Sequence, residues 1–251
     1  MLDDPRLAAL AQAEDRALAL FDSILSAGII RPGRTEQEIE RDIGEIAAGR
    51  FGVERHWHKR IVRAGSNTLA SAGESPPDLI VGEQDIVFVD LGPVFGEWEA
   101  DVGRSFVVGD DPSHHALVAA LPCQFAALRS HLLAHPEISG AELYVAACQN
   151  AEAAGWRFGG AIAGHIVAEF PHARLTVPRR AHAIGPDNPR PLAELDVEGR
   201  PRHWIGEIHL IALDGSFGGF YEQLLLRPSS QFRAATTSFR IASNSTALGK
   251  P

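Results

Sequence analysis

The chain has 251 residues, of which 45% are hydrophobic, 22% charged and 7% aromatic. This composition is ordinary for a globular protein, and it excludes collagen-like, disulfide-dense and generally disordered chains. The 32 acidic residues outnumber the 23 basic ones and give a formal charge of −9, which disfavours sequence-independent binding to nucleic acid or to an anionic membrane.

The first part of the chain predicts two helices. Residues 5–27 are rich in Ala and Leu, and Gly28 ends this run. Thr35 and Glu38 have the spacing of a capping box, which predicts that a second helix begins there and ends near Gly49.

The pattern then changes to that of strands. Residues 59–64 are predicted to be a strand, and residues 85–108 a hairpin that turns at residues 95–96. A helix is predicted after Pro112, with Pro122 kinking or splitting it. Another capping box, Ser139 to Glu142, predicts a helix that ends near residue 155.

The last part of the chain predicts a loop and a second hairpin. Residues 173–203 are rich in Pro, Arg and Asp, which predicts a long surface loop, and loops of this length often form rims or lids. Residues 204–226 predict a hairpin that turns at Asp214–Gly215. Because no linker interrupts the pattern, residues 1–228 are predicted to be a single domain, followed by a weakly patterned tail, 229–251.

Three features predict a cytoplasmic location. Cys123 and Cys148 lack C-x-x-C spacing and lie in apolar helical stretches, so they are interpreted as buried thiols in a reducing compartment. We find no apolar run that approaches the roughly 20 residues needed to span a bilayer. The acidic N-terminus lacks the basic and apolar regions of a signal peptide.

Each predicted hairpin carries a pair of carboxylates. Asp90 lies in an otherwise apolar strand, where an ionised carboxylate is costly unless a cation or hydrogen bonds compensate it. With the turn at residues 95–96, Asp101 lies directly opposite Asp90. Glu207 and Glu222 are equally far from the Asp214–Gly215 turn and also face each other. Like charges paired in this way destabilise a sheet, so a cation between them would turn the penalty into a gain.

The alternative is that these residues lie at exposed strand edges, where a single acidic residue in a strand is more often found. An error of one residue in the register would break either pairing. His165 lies in a further apolar stretch, and a lone histidine there is more often a core residue. Beside four acidic candidates, however, it is the expected fifth ligand.

Four carboxylates and one imidazole suit Mn, Fe(II), Co or Zn better than they suit a structural zinc site with thiolate ligands. The four negative charges also match two divalent ions. Such paired ions activate water and polarise a carbonyl group, so the set indicates hydrolytic chemistry.

The order and spacing of the five candidates resemble the metal site of the pita-bread metallopeptidases, which include methionine aminopeptidases, Xaa-Pro aminopeptidases and prolidases, with creatinase as a metal-free relative. Five local stretches carry this resemblance: residues 61–67, 85–92, 99–104, 164–172 and 220–226. The resemblance covers residues 5–228. It implies an α+β fold, with an antiparallel sheet and helices packed on one side, and a catalytic domain without the N-terminal domain of prolidases.

The resemblance also implies roles for the site residues. Asp101 and Glu222 would bridge two divalent ions, Asp90 would chelate one, and His165 and Glu207 would bind the other. Mn is the first expectation for both ions, with Co, Fe or Zn as alternatives. His172, seven residues after His165, would contact the substrate carbonyl or the tetrahedral intermediate.

The sequence departs from the family pattern in its histidines. Peptidase members have a catalytic histidine about seventeen or eighteen residues before the first aspartate, whereas residues 69–74 contain none. His209 lies two residues beyond the fourth ligand, so on a strand it points to the same face and is a candidate replacement. His56 and His58 also share a predicted face and are a second candidate replacement, with an exposed start of a strand beside Trp57 as the favoured interpretation.

We therefore expect a dinuclear metal hydrolase of peptide or amide C–N bonds, similar to aminopeptidases or Xaa-Pro dipeptidases, in which Glu207 also shuttles a proton. The alternatives are a specialised amidohydrolase, an enzyme with di-iron oxygen chemistry, and a non-catalytic binding module. The expected partner is a small peptide or amide rather than nucleic acid or membrane. A homodimer is expected because many relatives dimerise.

Overall fold

The structure is a computed structural model that describes residues 4–71, 73–172, 179–227 and 240–241. The predicted tail, 229–251, lies outside the described residues apart from residues 240–241, and so do residues 173–178 of the predicted loop. The domain boundary at residue 228 stays a prediction.

The described residues form four α-helices and two short 3₁₀ helices. The α-helices are α1 (Pro5–Ser26), α2 (Glu36–Phe51), α3 (Pro112–Ala134) and α4 (Gly140–Ala153), and the 3₁₀ helices are Gly65–Leu69 and Arg179–His182. Both predicted capping boxes are confirmed, because the N-cap side chains of α2 and α4 accept from the N3 backbone and the N3 glutamates accept in return.

The described residues also form ten strands. These are β1 (Ile61–Ala64), β2 (Asp85–Leu91), β3 (Val94–Phe95), β4 (Trp98–Glu99), β5 (Val102–Val108), β6 (Arg157–Phe158), β7 (Gly164–Val167), β8 (His203–Ile211), β9 (Gly218–Leu224) and β10 (Arg240–Ile241). The main sheet has the order β1-β2-β5-β9-β8-β6, with β7 also paired to β8 and β10 to β5. All of its pairs are antiparallel except β5 with β10.

The helices cover one face of this sheet. Val87 and Val89 of β2 pack in one core cluster with residues of α1 and α2. Ile208 of β8 and Tyr221 of β9 pack in a second cluster with residues of α3 and α4. Side chains alternate along a strand, so Asp90 and its neighbours in register point to the opposite face. The arrangement is the α+β fold that was expected, with helices on one side of an antiparallel sheet.

The first hairpin differs from its prediction. The pairing of β3 with β4 places the turn at residues 96–97 rather than 95–96. Asp90 consequently pairs with Gly103 instead of Asp101. This shift of two residues leaves the alternation of side chains unchanged, so Asp101 still belongs to the face of Asp90. In the second hairpin, Glu207 pairs with Glu222 as predicted.

Helix α3 bears on two expectations. The helix continues through Pro122 and is not split, while a kink there stays a prediction. Buried side chains before and after Pro122, including Leu121 and Phe125, pack in the core. Cys123 lies on the solvent side of the same helix and is exposed, while Cys148 on α4 is half-buried. The interpretation of both cysteines as buried thiols is therefore wrong.

By length and composition, α3 is also long and apolar enough to cross a membrane, contrary to the expectation that the chain has no such run. Five of its apolar side chains are buried against the rest of the protein: Leu117, Leu121, Phe125, Leu128 and Leu132. Such packing on a sheet is typical of a core helix.

The described part of the predicted loop, 179–203, is not confined to the surface. Ile184 and Leu192 are buried in the core cluster of α3 and α4. The loop backbone also forms isolated bridges to Ser139 and His165. These contacts fix this segment next to β7.

Candidate metal centre

Three of the predicted ligands lie in one row across the middle of the sheet. Asp90 on β2 pairs with Gly103 on β5, Gly103 pairs with Glu222 on β9, and Glu222 pairs with Glu207 on β8. The side chains of directly paired residues point to the same face of the sheet, and their Cβ atoms are about 5 Å apart. Gly103 has no side chain, so the row presents three carboxylates over four strands.

Asp101 approaches this row from the residue just before β5. It is 2% exposed, and its two carboxylate oxygens contact different histidines. Oδ2 lies 2.9 Å from Nε2 of His165, and Oδ1 lies 3.2 Å from Nε2 of His58. Asp101 therefore occupies the centre of the cluster.

His165 joins the cluster from β7. Its Nε2 atom is 3.6 Å from Oε1 of Glu207 and 3.7 Å from Oε1 of Glu222, in addition to its contact with Asp101. Its Nδ1 atom donates to the carbonyl of Ile166 at 2.7 Å. The structure thus brings together all five residues that the sequence predicted as ligands.

His58 is a member of the cluster that the sequence analysis did not predict as a ligand. Its Nε2 atom lies 3.4 Å from Oδ1 of Asp90 as well as 3.2 Å from Asp101. Its side chain is 19% exposed, so the interpretation of an exposed start of a strand is wrong for this residue. The signal in the sequence was the aromatic stretch itself, since the Trp57 ring packs edge-on against the rings of both His58 and His165.

The donor set fits divalent ions. Oδ1 of Asp90 and Oε2 of Glu222 are buried and have no hydrogen-bond partner among the described residues. Buried charges without partners are costly unless they coordinate a metal. Two groups of three side chains could each hold an ion, because the donor atoms within each group lie within 4.8 Å of one another. The groups are His58–Asp90–Asp101 and Asp101–His165–Glu222, and both contain Asp101. Carboxylate with imidazole is a donor set that Mn, Fe, Co and Zn accept.

Burial shifts the acid–base behaviour of the carboxylates. It raises the pKa of Asp90 to about 7, and the nearby charge of Asp101 acts in the same direction. Burial likewise raises the pKa of Glu207 to about 7 and the pKa of Glu222 well above its usual value. Without a metal, these groups therefore keep protons at a pH where exposed carboxyl groups are ionised.

The pKa values of Asp101, His58 and His165 shift so that the charged forms are favoured. Burial alone would raise the pKa of Asp101, but hydrogen bonds from His165 and His58 lower it to about 2. Burial alone would lower the pKa of His58, yet the charges of Asp90 and Asp101 raise it to about 9. The pKa of His165 is raised well above its usual value, against burial, chiefly by its hydrogen bond to Asp101. Metal binding would displace these protons.

His172 lies beside the cluster and is held by a carboxylate that the sequence analysis did not identify. Its Nδ1 atom lies 2.6 Å from Oε2 of Glu99, and its backbone N–H donates to Oε1 of the same residue at 3.0 Å. Glu99 is 1% exposed. The imidazole stacks on His165 with 5.9 Å between ring centroids. Glu99 lies two residues before Asp101, which was the available sequence signal.

His209 lies one row away from the carboxylates. It is on β8, paired with Phe220, and is 7% exposed. Its Nε2 atom donates to the carbonyl of Thr68 at 2.8 Å, and Thr68 Oγ1 in turn accepts from the N–H of Gly218. His209 thus fixes the 3₁₀ helix Gly65–Leu69 against the sheet next to the site.

Arg104 supports the row from the helix-covered face. Its guanidinium donates to the carbonyl of Glu222 at 2.8 Å and to Oε1 of Gln223 at 2.7 Å, and it lies 4.1 Å from the centre of the Tyr221 ring. These contacts fix β5 to β9 at the position where Glu222 enters the cluster.

Comparisons with known proteins give a matching family and similar solved structures. A family model described as metallopeptidase family M24 matches residues 8–197. A solved X-Pro aminopeptidase from Thermotoga maritima is 19% identical, with a TM-score of 0.66, and the match covers 89% of this chain and 61% of that one. A comparison with curated proteins gave no match.

Two further solved structures give similar values. A dipeptidase from Pyrococcus horikoshii is 19% identical, with a TM-score of 0.66 and coverage of 88% of this chain and 56% of that one. An Xaa-Pro dipeptidase from Bacillus anthracis is 18% identical, with a TM-score of 0.65 and coverage of 87% and 57%. At these identities the likeness shows the fold, and the chain spans less than two thirds of each of these structures. The family match covers more than half of the chain, which therefore belongs to metallopeptidase family M24.

Proposed function

We propose that the protein is a dinuclear metal-dependent hydrolase that cleaves a peptide or amide C–N bond, with a specificity similar to that of aminopeptidases or Xaa-Pro dipeptidases. The observation that carries the proposal is the cluster of four carboxylates and His165, in which buried oxygens of Asp90 and Glu222 have no hydrogen-bond partner among the described residues. Family membership supports a metallopeptidase-like hydrolase.

Two ions fit the chain's own arrangement better than one. The two three-residue groups share Asp101, whose two carboxylate oxygens contact His58 and His165 separately, so Asp101 would help to hold both ions. Glu222 would be the second shared ligand, with Asp90 on one side and Glu207 on the other. Bound divalent ions supply Lewis acidity and lower the pKa of water. Mn is the first choice, with Co, Fe and Zn as alternatives.

Glu207 is the proposed proton carrier. Its side chain is 16% exposed, so it can exchange protons with solvent. A positioned carboxylate can transfer protons to or from a reacting group. Glu207 would accept a proton on the side of the nucleophile and deliver it to the leaving nitrogen.

His172 is the proposed contact to the substrate carbonyl. The Glu99 carboxylate accepts from Nδ1 and from the backbone N–H of His172, so the ring orientation is fixed before substrate binds. Preorganised donors of this type stabilise negative charge that develops on oxygen. His209 is proposed to act through the position of Thr68 rather than by touching the substrate.

An activity screen tests the proposal. The protein is freed of metal with a chelator, reloaded with Mn, Co, Fe or Zn, and assayed on dipeptides, Xaa-Pro peptides and small amides. Asp101→Asn is the matched control, because it keeps the side-chain shape while removing the shared charge. Metal-dependent hydrolysis by the parent protein and its loss in Asp101→Asn are expected. Two bound ions with no hydrolysis of any substrate would contradict the hydrolase assignment.

A further inference from the structure

His58 and His165 are presented to the cluster in the same way, although they come from distant parts of the chain. The Nδ1 atom of His58 donates to the carbonyl of the next residue, Lys59, at 2.6 Å. The Nδ1 atom of His165 donates to the carbonyl of its next residue, Ile166, at 2.7 Å. In both residues Nε2 is therefore the atom that faces the carboxylates.

This arrangement is the one that metal-binding histidines adopt. A backbone carbonyl that accepts from one ring nitrogen fixes the tautomer and leaves the lone pair of the other nitrogen for the metal. For His58, that second nitrogen lies 3.2 Å from Oδ1 of Asp101 and 3.4 Å from Oδ1 of Asp90. The Asp90 oxygen has no hydrogen-bond partner among the described residues.

The surroundings of His58 hold the ring in this position. The centroid of the Trp57 ring is 4.4 Å from that of His58 and 5.2 Å from that of His165, edge-on to both. Gly92 lies next to both rings, and a Cβ atom there would come within 2.3 Å of Cδ2 of His58 and 2.5 Å of Nε1 of Trp57. The ring therefore occupies space that any side chain at position 92 would need.

We propose that His58 is a metal ligand, bound to the same ion as Asp90 and Asp101, so that each of the two ions has one imidazole. This inference rests on the proposed dinuclear site. The competing explanation is that His58 is only a positively charged partner of the two aspartates. If His58 were only an ion-pair partner, a bound metal would displace it from the aspartates. If His58 is a ligand, the metal would bind to its Nε2 atom.

Substitution by Co(II) distinguishes the two explanations. A histidine bound through Nε2 to paramagnetic Co(II) gives a strongly shifted proton NMR signal from its Nδ1–H, and this signal disappears in D2O. The parent protein loaded with two equivalents of Co(II) is expected to show two such signals, from His58 and His165. His58→Ala and His165→Ala should each lose one, whereas His56→Ala, a change in the same segment, should keep both.

Metal titration by calorimetry gives a second measurement. Loss of an outer-shell partner already weakens metal binding ~10–100-fold, so His58→Ala should weaken one of the two Co(II) sites at least ~10-fold and leave the other nearly unchanged. His58→Gln, which keeps more of the side-chain volume, serves if the alanine variant is unfolded by circular dichroism.

The outcomes separate this inference from the proposed function. Two bound Co(II) ions with a single exchangeable signal in the parent protein would overturn the role of His58 and leave the dinuclear site intact. Two signals that both persist in a folded His58 variant would do the same. Failure of the parent protein to bind two Co(II) ions would overturn the dinuclear site and this inference with it.

Discussion

Gly92→Ala is the substitution for which the structure gives the clearest expected effect. The added Cβ would lie 2.3 Å from Cδ2 of His58, 2.5 Å from its Nε2 and 2.5 Å from Nε1 of Trp57. Ordinary contacts begin at 3.4 Å, so both rings would have to move by about 1 Å. Functional constellations tolerate a displacement of only about 0.5 Å.

Gly92→Ala should lower both the folding stability, through overpacking, and the affinity for metal, through displacement of the His58 ring. Inserting a methyl group into a packed region costs ~1–3 kcal/mol. For a chain of about 150–250 residues, each kcal/mol lowers Tm by ~2–4 °C. Gly92→Ala should therefore lower Tm by about 2–12 °C, and if the proposed role of His58 holds, it should also weaken one of the metal sites.

The assay is thermal unfolding followed by circular dichroism, with and without metal. Gly49→Ala is the matched control, because position 49 is in helix α2, is exposed, and has no neighbour within 4 Å of the added atom. Replacing glycine by alanine within a helix stabilises by ~0.5–1 kcal/mol. A Gly92→Ala protein that melts at or above the parent temperature and binds metal normally would refute the reasoning.

Three further outcomes are expected. Glu99→Gln should lower kcat and leave two metal equivalents bound, because the amide no longer supplies the charged acceptor that orients His172; loss of metal instead would show that Glu99 supports the ions. His209→Ala should reduce turnover more than metal content, since the ring holds Thr68 and touches no ligand carboxylate; unchanged turnover would remove His209 from the mechanism. The metal-free protein should lose stability as pH rises from about 4 to 7. Burial raises the pKa of Asp90 and Glu207 to about 7, so the stability that these protonated groups contribute is complete below their ordinary pKa values and is lost as they ionise. Melting curves at several pH values check this, with a smaller fall expected for Asp90→Asn, and an equal fall in that variant would contradict it.

The sequence was sufficient for the parts of the site that depend on strand alternation. Glu207 and Glu222 follow from counting outward from one turn. The same count for Asp90 was two residues in error, yet it still placed Asp101 on the correct face, because an even shift preserves the alternation. An error of one residue would have moved the aspartate to the helix side.

The sequence was insufficient where contacts depend on how separate segments pack. His58 precedes β1 and reaches the aspartates only because Gly92 and Trp57 leave a place for its ring. Glu99 becomes the partner of His172 only after the chain returns through β7. Neither contact has a periodic signal, so composition and spacing favoured a solvent-exposed interpretation of His58 and did not identify Glu99.

The row of carboxylates also has a consequence for how the protein loses its structure. Asp90 and Glu222 are more than 130 residues apart in the chain, yet they belong to strands separated only by β5. An ion held by residues of both hairpins would act as a cross-link that closes a long loop of the chain. Such a link restricts the unfolded chain and must be released before the halves of the sheet separate. Removal of metal would then be the step that permits unfolding, and the rate of metal loss would set the lifetime of the folded protein.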